Sequence, residues 1–285
     1  MDIQQVEPMS TVINLNKDDL KPFLFASDVH WDSKHCQRDV FKRHLEEVKA
    51  QDGYVVIIGD FFDLMEGRND FRRSNKLRSE HLGTNYLQKV VLDAVEWLKP
   101  YAKNIVLISD GNHETSITKN IQVDPLEWLC YELRKLGSPV IHGNYQGFLT
   151  IRYNYAKSEE YRSPTLKYTV FYHHGLWGGV VSQGTQSVMR YSSIVPDADM
   201  IITGHTHNQW QMINTRYKIN NAFNTYLNEQ LHLKLGTYKQ EFQDGKGWAV
   251  EKLGIPKPIG AWWVNFAKKK RESLNVLIPS VTMAK

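Results

Sequence analysis

Five short polar motifs each follow an apolar run, and this pairing constrains the fold more than any other feature of the chain. The runs are Pro22–Ala26, Tyr54–Ile58, Ile105–Ile108, Thr169–Tyr172 and Met200–Thr203. Runs of this kind, bounded by glycine and polar residues, predict buried strands of an α/β domain. The motifs are Asp28-Val29-His30, Gly59-Asp60-Phe61-Phe62-Asp63, Gly111-Asn112-His113-Glu114, His173-His174-Gly175 and Gly204-His205-Thr206-His207. Open α/β sheets build their sites at the carboxyl ends of strands. The carboxylate, imidazole and amide groups gathered there predict a site for two divalent cations.

Helices are predicted between these strands. Apolar residues recur at helical spacing from Arg38 to Ala50 and, more regularly, from about Thr84 to Lys99. A third helix is expected to begin at Asp124-Pro125, because aspartate is a good N-cap and proline suits the first helical position, and to end at Gly137. Alternation of strands and helices predicts the α/β class.

The chain divides into three predicted parts. Residues 1–20 are polar and predict an N-terminal extension, and residues 21–240 predict the main domain. Alternating aromatic and branched residues from Gly143 to Val170 indicate a β-hairpin region within that domain. Residues 241–285, rich in Trp, Gly and Pro, predict a C-terminal extension that packs on the core and carries a basic tail at Lys268–Arg271.

Composition narrows the class of protein. The chain has 285 residues and a net charge of +4, which permits a polyanionic partner without requiring one. Its two cysteines, Cys36 and Cys130, show no disulfide or metal spacing, which favours a reducing cytoplasm. There is no signal-peptide pattern and no run of apolar residues long enough to span a membrane, so we expect no membrane partner.

The five motifs, in this order, resemble those of the calcineurin-like metallophosphoesterase superfamily. The match covers about residues 23–240 and is specific because all five motifs are present. The resemblance implies two stacked mixed β-sheets flanked by helices, a four-layer α/β sandwich. Segments Met65–His81, Gly236–Phe242 and Pro256–Trp263 also resemble a narrower subgroup encoded by bacteriophages and prophages, which would place the protein in the cytoplasm of a bacterial host.

The resemblance also implies the ligands of two metal ions. Those of one ion are Asp28, His30, Asp60 and His207, and those of the other are Asp60, Asn112, His174 and His205. Asp60 would bridge the two, since a carboxylate offers two equivalent anionic oxygens. Mixed oxygen and nitrogen ligands favour Mn²⁺, with Fe or Zn²⁺ as alternatives.

Two further residues resemble the catalytic pair of the family. His113 is expected to stabilise the phosphoryl group or to protonate the leaving oxygen, and Asp63 to orient that histidine. His173 and His174 are adjacent on a strand, so only one of them can face the metals. The family pattern of His followed by Gly favours His174, and a functional role for His173 stays open.

The substrate prediction depends on two loops. The insert Glu66–Glu80 is rich in arginine, including Arg72 and Arg73, and is either a phosphate clamp or a solvated loop. The loop Leu176–Arg190 follows His174, and Arg190 is a further candidate for substrate binding.

Together these features predict a dinuclear-metal-dependent phosphoesterase that hydrolyses phosphate esters by attack of a metal-bridging hydroxide. A phosphodiesterase or nuclease acting on DNA, RNA or nucleotides is favoured. The alternatives are a phosphomonoesterase, for proteins or small molecules, and a nucleotide-linked pyrophosphatase. Protein phosphatases of the superfamily have Arg-Gly where this chain has Leu64-Met65, which weakens that reading. An inactive, metal-bound nucleic-acid binding module is a minor alternative.

Overall fold

The strands are the framework of the molecule. The computed structural model describes residues 1–16, 19–64, 78–154, 165–176, 182–219, 223–243, 245, 248–251, 254–271 and 274–285, with backbone alone for 248, 249, 271 and 274. Within these ranges the strands are β1 (Asp2–Glu7), β2 (Ser10–Leu15), β3 (Phe23–Ala26), β4 (Tyr54–Ile58), β5 (Ile105–Ser109), β6 (Ile141–Gly143), β7 (Gln146–Asn154), β8 (Thr165–His173), β9 (Met200–Thr203), β10 (Trp210–Ile219), β11 (Thr225–Lys234), β12 (Ala261–Arg271) and β13 (Leu274–Ala284).

Helices lie between and after these strands. They are α1 (Arg38–Ala50), α2 (Tyr86–Leu98), α3 (Asn112–Ile121), α4 (Pro125–Lys135), α5 (Ser187–Ile194) and the short α6 (Trp248–Glu251). Short 3₁₀ helices cover Ser79–His81 and Lys99–Asn104. The predicted start of α4 is confirmed, because Asp124 accepts a hydrogen bond of 2.9 Å from the backbone N–H of Glu127. No helix within the described ranges is long and apolar enough to cross a membrane.

Two mixed sheets stack on one another. One sheet has six strands in the order β13-β12-β3-β4-β5-β6, and β3 to β6 run parallel. The other has seven strands in the order β1-β2-β7-β8-β9-β11-β10, and β8, β9 and β11 run parallel. The parallel strands β3, β4, β5, β8 and β9 are those that the motifs follow, so the motif side chains leave both sheets at one rim.

The hydrophobic core has three parts, which define four layers. Between the sheets, residues such as Phe25, Ile58 and Ile202 pack together. On the outer face of the six-stranded sheet, α1, α2 and α4 contribute a second buried cluster. On the outer face of the seven-stranded sheet, Tyr191 of α5 packs against Phe171 and other strand residues. This arrangement confirms the predicted α/β class with two mixed sheets flanked by helices.

Both ends of the chain contribute strands to the sheets. Strand β2, within the segment predicted as an extension, pairs in parallel with β7. Near the other terminus, β12 pairs with β3, and Trp262 is buried between the sheets. The Lys268–Arg271 run lies in β12, opposite β13. Before the run, Trp262, Val264 and Phe266 are buried at the two-residue period of a strand. The same strand continues through the basic residues, which pair with β13.

Candidate metal centre

The chain turns sharply at the rim where the motif strands end. Most residues avoid positive φ for steric reasons, yet several of the predicted ligands adopt it. These are Asp28, His30, Asp60, His205 and His207, with φ of 52°, 50°, 49°, 73° and 57°. Non-glycine residues in this conformation store strain and are concentrated at functional sites. The turns re-aim consecutive side chains, so that the ligands converge.

Two glycines allow the rim loops to approach each other closely. A Cβ at Gly111 would overlap the backbone nitrogen and the carboxylate of Asp60. A Cβ at Gly204 would overlap the hydroxyl of Ser27 and crowd Asp28. The glycines that open the third and fifth motifs are therefore required by the contact of one motif with another.

The first ligand cluster consists of Asp28, His30 and His207. Nε2 of His207 lies 3.2 Å from Oδ1 of Asp28 and 3.2 Å from Nε2 of His30. Nε2 of His30 lies 4.0 Å from the same oxygen of Asp28. At metal–nitrogen distances of about 2.1 Å, neighbouring ligand atoms of one ion lie about 3 Å apart. The spacing of this cluster fits one ion.

The second ligand cluster consists of Asp60, Asn112, His174 and His205. Nε2 of His174 lies 3.1 Å from Oδ2 of Asp60 and 3.1 Å from Oδ1 of Asn112. Nδ1 of His205 lies 2.7 Å from the same amide oxygen. Asp60 also groups with His30 within 4.8 Å, so its carboxylate lies between the two clusters.

The hydrogen bonds of the histidines determine which nitrogen faces the centre. Nδ1 of His174 is 3.1 Å from the carbonyl oxygen of Ile58, and Nδ1 of His30 is 2.8 Å from Oδ1 of Asp63. Each Nδ1 must therefore carry the proton and donate it, which leaves the lone pair of Nε2 directed at the centre. A histidine held by its second nitrogen in this way is the usual arrangement at metal sites.

The two clusters bring nitrogen and oxygen ligand atoms together in buried surroundings, which favours a cation. Nε2 of His30 faces Nε2 of His207, and Nε2 of His174 faces two acceptor oxygens. Oδ1 of Asp28 is fully buried and accepts no hydrogen bond from the described residues. Buried carboxylates need compensating positive charge. Divalent cations would supply that charge at both clusters, so the residues present fit the two ions that the motifs imply.

Electrostatics agree with this fit. Burial opposes ionisation of Asp60, yet His174 and His113 together hold its pKa well below the ordinary value. Conversely, burial disfavours the charged form of His174, but the Asp60 carboxylate raises its pKa to about 9. Asp60 thus stays anionic and attracts positive charge.

His113 lies beside Asp60, and its Nε2 faces that carboxylate without a hydrogen bond to any of the described residues. Its Nδ1 is 2.5 Å from the backbone carbonyl oxygen of Asp63, and its Nε2 is 3.8 Å from Oδ2 of Asp60. The Asp63 carboxylate, which was predicted to orient His113, lies 3.8 Å from that Nδ1 and 2.8 Å from Nδ1 of His30. The backbone of Asp63 therefore holds His113, while its side chain holds the metal-ligand candidate His30.

Lys239 is a buried cation at the centre that the five motifs did not predict. Its Nζ donates to Oδ1 of Asp63 at 2.9 Å and lies 3.3 Å from Oε1 of Glu241. Burial opposes the ionisation of Asp63, but Lys239 and His30 hold its pKa below the ordinary value. Lys239 follows no strand-end motif, and its sequence neighbourhood gives no signal of a contact 176 residues away.

Glu114 has a structural role that the sequence of the third motif did not predict. Its carboxylate accepts backbone hydrogen bonds from Asp60, Phe62 and Gly111 at 3.2, 2.8 and 2.9 Å. It therefore joins the second and third motifs. Burial and the nearby Asp60 charge raise its pKa well above the ordinary value.

The adjacent histidines of the fourth motif point to different places. His174 is fully buried in the second cluster, whereas Nδ1 of His173 accepts from the backbone N–H of Gly175 at 2.9 Å. The same nitrogen lies 3.1 Å from the hydroxyl of Tyr191 on α5. Burial, together with His174 and Lys234, lowers the pKa of His173 to about 4. A neutral His173 therefore ties β8 to α5.

Of the three predicted substrate-binding residues, the structure describes only Arg190. Arg72 and Arg73 lie outside the described residues. Arg190 is exposed on α5, and within the described ranges no hydrogen bond or ion pair joins it to a ligand residue. Arg78 ends the basic insert, and its guanidinium donates to the carbonyl oxygens of Ser33 and Cys36 at 3.0 and 2.9 Å. Arg78 therefore supports the loop after the first motif.

The sequence profile of one protein family, described as calcineurin-like phosphoesterase, matches residues 21–209. Among curated protein sequences, none matches the chain. Solved structures that match the chain include Vacuolar Protein Sorting 29 from Cryptosporidium parvum, which is 15% identical. The match covers 92% of this chain and 98% of the other, with a TM-score of 0.38. A predicted phosphoesterase from Streptococcus pneumoniae is 12% identical over 91% and 98%, with a TM-score of 0.33. GAP50 of Plasmodium is 12% identical over 93% and 85%, with a TM-score of 0.45.

Proposed function

Because the chain belongs to the calcineurin-like phosphoesterase family, we propose that it is a dinuclear-metal phosphodiesterase that acts on nucleic acid or nucleotides. One observation carries the proposal: seven candidate ligands converge in two clusters with the Asp60 carboxylate between them, and His113 lies beside that carboxylate. A binding module without activity would have no need of a histidine that is held by one nitrogen and open at the other.

Two bound divalent cations would neutralise the phosphoryl oxygens and lower the pKa of water at the centre. The side chains of the chain itself then have separate tasks. Asp60 holds negative charge between the clusters, and Asn112 adds a neutral oxygen, so the second cluster carries less negative charge than one built from carboxylates. His113 keeps its Nδ1 proton on the carbonyl of Asp63. When the ring is protonated on both nitrogens, Nε2 is therefore the atom that would give a proton to the leaving oxygen.

The residue after Asp63 favours a diester over a monoester. A phosphate monoester is a dianion near neutral pH, and an arginine at this position would supply a positive charge for it. Protein phosphatases of the superfamily have arginine where this chain has Leu64, and Leu64 is buried at 2% exposure. The net charge of +4 is in keeping with a polyanionic substrate.

Three finer points belong to the same proposal. The metal is Mn²⁺, because the ligand set mixes imidazole, amide and carboxylate groups. The protein belongs to the bacteriophage- or prophage-encoded subgroup whose sequence segments the chain resembles. The protein acts in the cytoplasm of the bacterial host, where both of its cysteines stay reduced.

A substrate panel tests the proposal. The Mn²⁺-loaded protein is assayed with bis-p-nitrophenyl phosphate, p-nitrophenyl phosphate, a nucleoside diphosphate ester, and single-stranded DNA and RNA, with Asp60→Asn as the blank. Hydrolysis of the diester and of nucleic acid, at rates well above those for the monoester, is the expected result. Exclusive turnover of the monoester or of the pyrophosphate bond would replace the phosphodiesterase assignment by the corresponding alternative.

A further inference from the structure

Lys234 is a buried lysine at the same rim that none of the roles above uses. It is the last residue of β11 and stands in register with Thr203, the residue directly before the fifth motif. Only 1% of its surface is exposed. Within the described residues its ammonium makes no hydrogen bond or ion pair, and Asp28 is the one carboxylate whose charge favours its protonated form. A buried charged group without a paired anion is rare.

The lysine points at a glycine turn and at the loop of the fifth motif. A Cβ on Gly184 would lie 3.6 Å from both Cε of Lys234 and Oγ1 of Thr206, and 3.7 Å from Nζ of Lys234. Oγ1 of Thr206 accepts from Nδ2 of Asn208 at 3.3 Å. The hydroxyl proton of Thr206 is therefore free to donate to a ligand at the same place.

A second lysine approaches from the segment before β12. Nζ of Lys257 donates to Oδ1 of Asn208 at 2.9 Å, so Asn208 links Lys257 to Thr206. Burial and the charge of Lys257 lower the pKa of Lys234 to about 8. Two lysines thus approach the loop that carries the Thr206 hydroxyl, and among the described residues neither is paired with a carboxylate, which favours binding of an anion.

This site adjoins the metal centre. Thr206 and Asn208 alternate along the chain with His205 and His207, so the two ligand histidines and the two polar side chains belong to one loop. The charge of Lys234 also contributes to the low pKa of His205. An anion held by the two lysines would therefore be a group attached to the substrate, one short spacer away from the phosphorus at the metals.

We propose that Lys234 and Lys257, with Thr206, form a second phosphate subsite that binds the phosphate next to the one being hydrolysed. The proposal rests on the phosphodiesterase function proposed above and defines its substrate class, which is a molecule carrying at least two phosphates. The adjacent phosphate comes either from the next nucleotide of a strand or from the phosphate chain of a nucleotide. Phosphate fits better than a single carboxylate, because the site offers two positive charges and a hydroxyl donor.

A matched pair of substrates tests the subsite. Thymidine 5′-(4-nitrophenyl phosphate) has one phosphate, and the same ester with a 3′-phosphate has two. We expect the wild-type protein to prefer the second ester by about tenfold in kcat/KM, the size of one charge-assisted hydrogen bond. In Lys234→Met the ratio of the two values should fall to about one, and in Lys257→Met it should fall part of the way.

Lys103 supplies the matched control. It is an exposed lysine in the 3₁₀ helix Lys99–Asn104 that precedes β5, at the end of that strand away from the rim, so Lys103→Met removes the same charge far from the site. The ratio should stay at its wild-type value in this variant. No preference for the second phosphate in the wild type, or an unchanged ratio in Lys234→Met, would overturn the proposal. Melting curves establish that each variant is folded.

Binding without metals separates this proposal from the proposed function. In EDTA, the affinities of thymidine 3′,5′-bisphosphate and of thymidine 5′-diphosphate are measured by calorimetry for the wild type and for Lys234→Met. A loss of about tenfold in the variant supports the subsite even if no diester is hydrolysed. The ligand that loses more identifies the source of the phosphate, the strand or the nucleotide chain. Equal affinity of the wild type and the variant for both ligands would refute the subsite, whatever the activity.

Discussion

The two ligand clusters meet at Asp60 but are held in place by different means. In the first cluster, His30 is oriented by the carboxylate of Asp63, which is paired with Lys239. In the second, His174 is oriented by the backbone carbonyl of Ile58. The first cluster thus depends on an ion pair between distant parts of the chain, and the second on the strand backbone itself. A substitution can therefore weaken the support of the first cluster while leaving the support of the second intact.

The largest effect is expected where the clusters join. Asp60→Asn removes the one carboxylate of the described residues that lies between them, so both ions would lose a ligand. We expect kcat for a diester to fall at least about a thousandfold, more than the roughly 10–100-fold of a residue that only supports a ligand. Steady-state hydrolysis of bis-p-nitrophenyl phosphate with Mn²⁺ measures this. An Asp60→Asn variant that kept a tenth of the activity would mean that the clusters act separately.

The next effect concerns the ion pair that supports the first cluster. Lys239→Met leaves the buried Asp63 carboxylate with His30 as its remaining partner. The free energy of unfolding should fall by about 3 kcal/mol, as when one partner of a buried pair is removed. Urea denaturation in EDTA measures the change without metals. Lys103→Met is the control and should change stability by less than about 0.5 kcal/mol. A fall below about 1 kcal/mol for Lys239→Met would show that His30 alone compensates Asp63.

A smaller effect sharpens the comparison between the clusters. Asp63→Asn keeps an acceptor for Nδ1 of His30 but removes the negative charge. The affinity of the first cluster for Mn²⁺ should fall by about 10–100-fold, while that of the second stays unchanged because backbone supports it. Titration of the metal-free variant with Mn²⁺, followed by calorimetry, resolves the two binding steps. Equal weakening of both steps would contradict the division of support.

The sequence predicted the fold class and three of the helices, because both depend on local patterns. Apolar runs bounded by glycine predicted the five motif strands, and the N-cap Asp124 marked the start of α4. The motif order also named side chains that the structure brings together at one rim. Each motif lies within a single loop, so the spacing of its residues can be read in the sequence.

The remaining features of the site depend on contacts between distant segments. Lys239 and Lys234 follow no motif, and their importance arises from what they face after folding. The motifs predicted Asp63 beside His113 but not that its carboxylate contacts His30 while its backbone carbonyl contacts His113. Both contacts join segments that are far apart in the sequence, so motif spacing does not encode them. The strands at both termini were missed as sheet members for the same reason, since their pairing partners lie far away in sequence.

The most direct test of the account is the number of Mn²⁺ ions that the protein binds and their distance from each other. The purified metal-free protein is titrated with Mn²⁺, and the bound ions are followed by electron paramagnetic resonance. The account predicts two ions per chain with the spectrum of an exchange-coupled pair, and loss of that coupling in Asp60→Asn. Binding of a single ion, or of two ions without coupling in the wild type, would contradict a centre built from two clusters joined at Asp60.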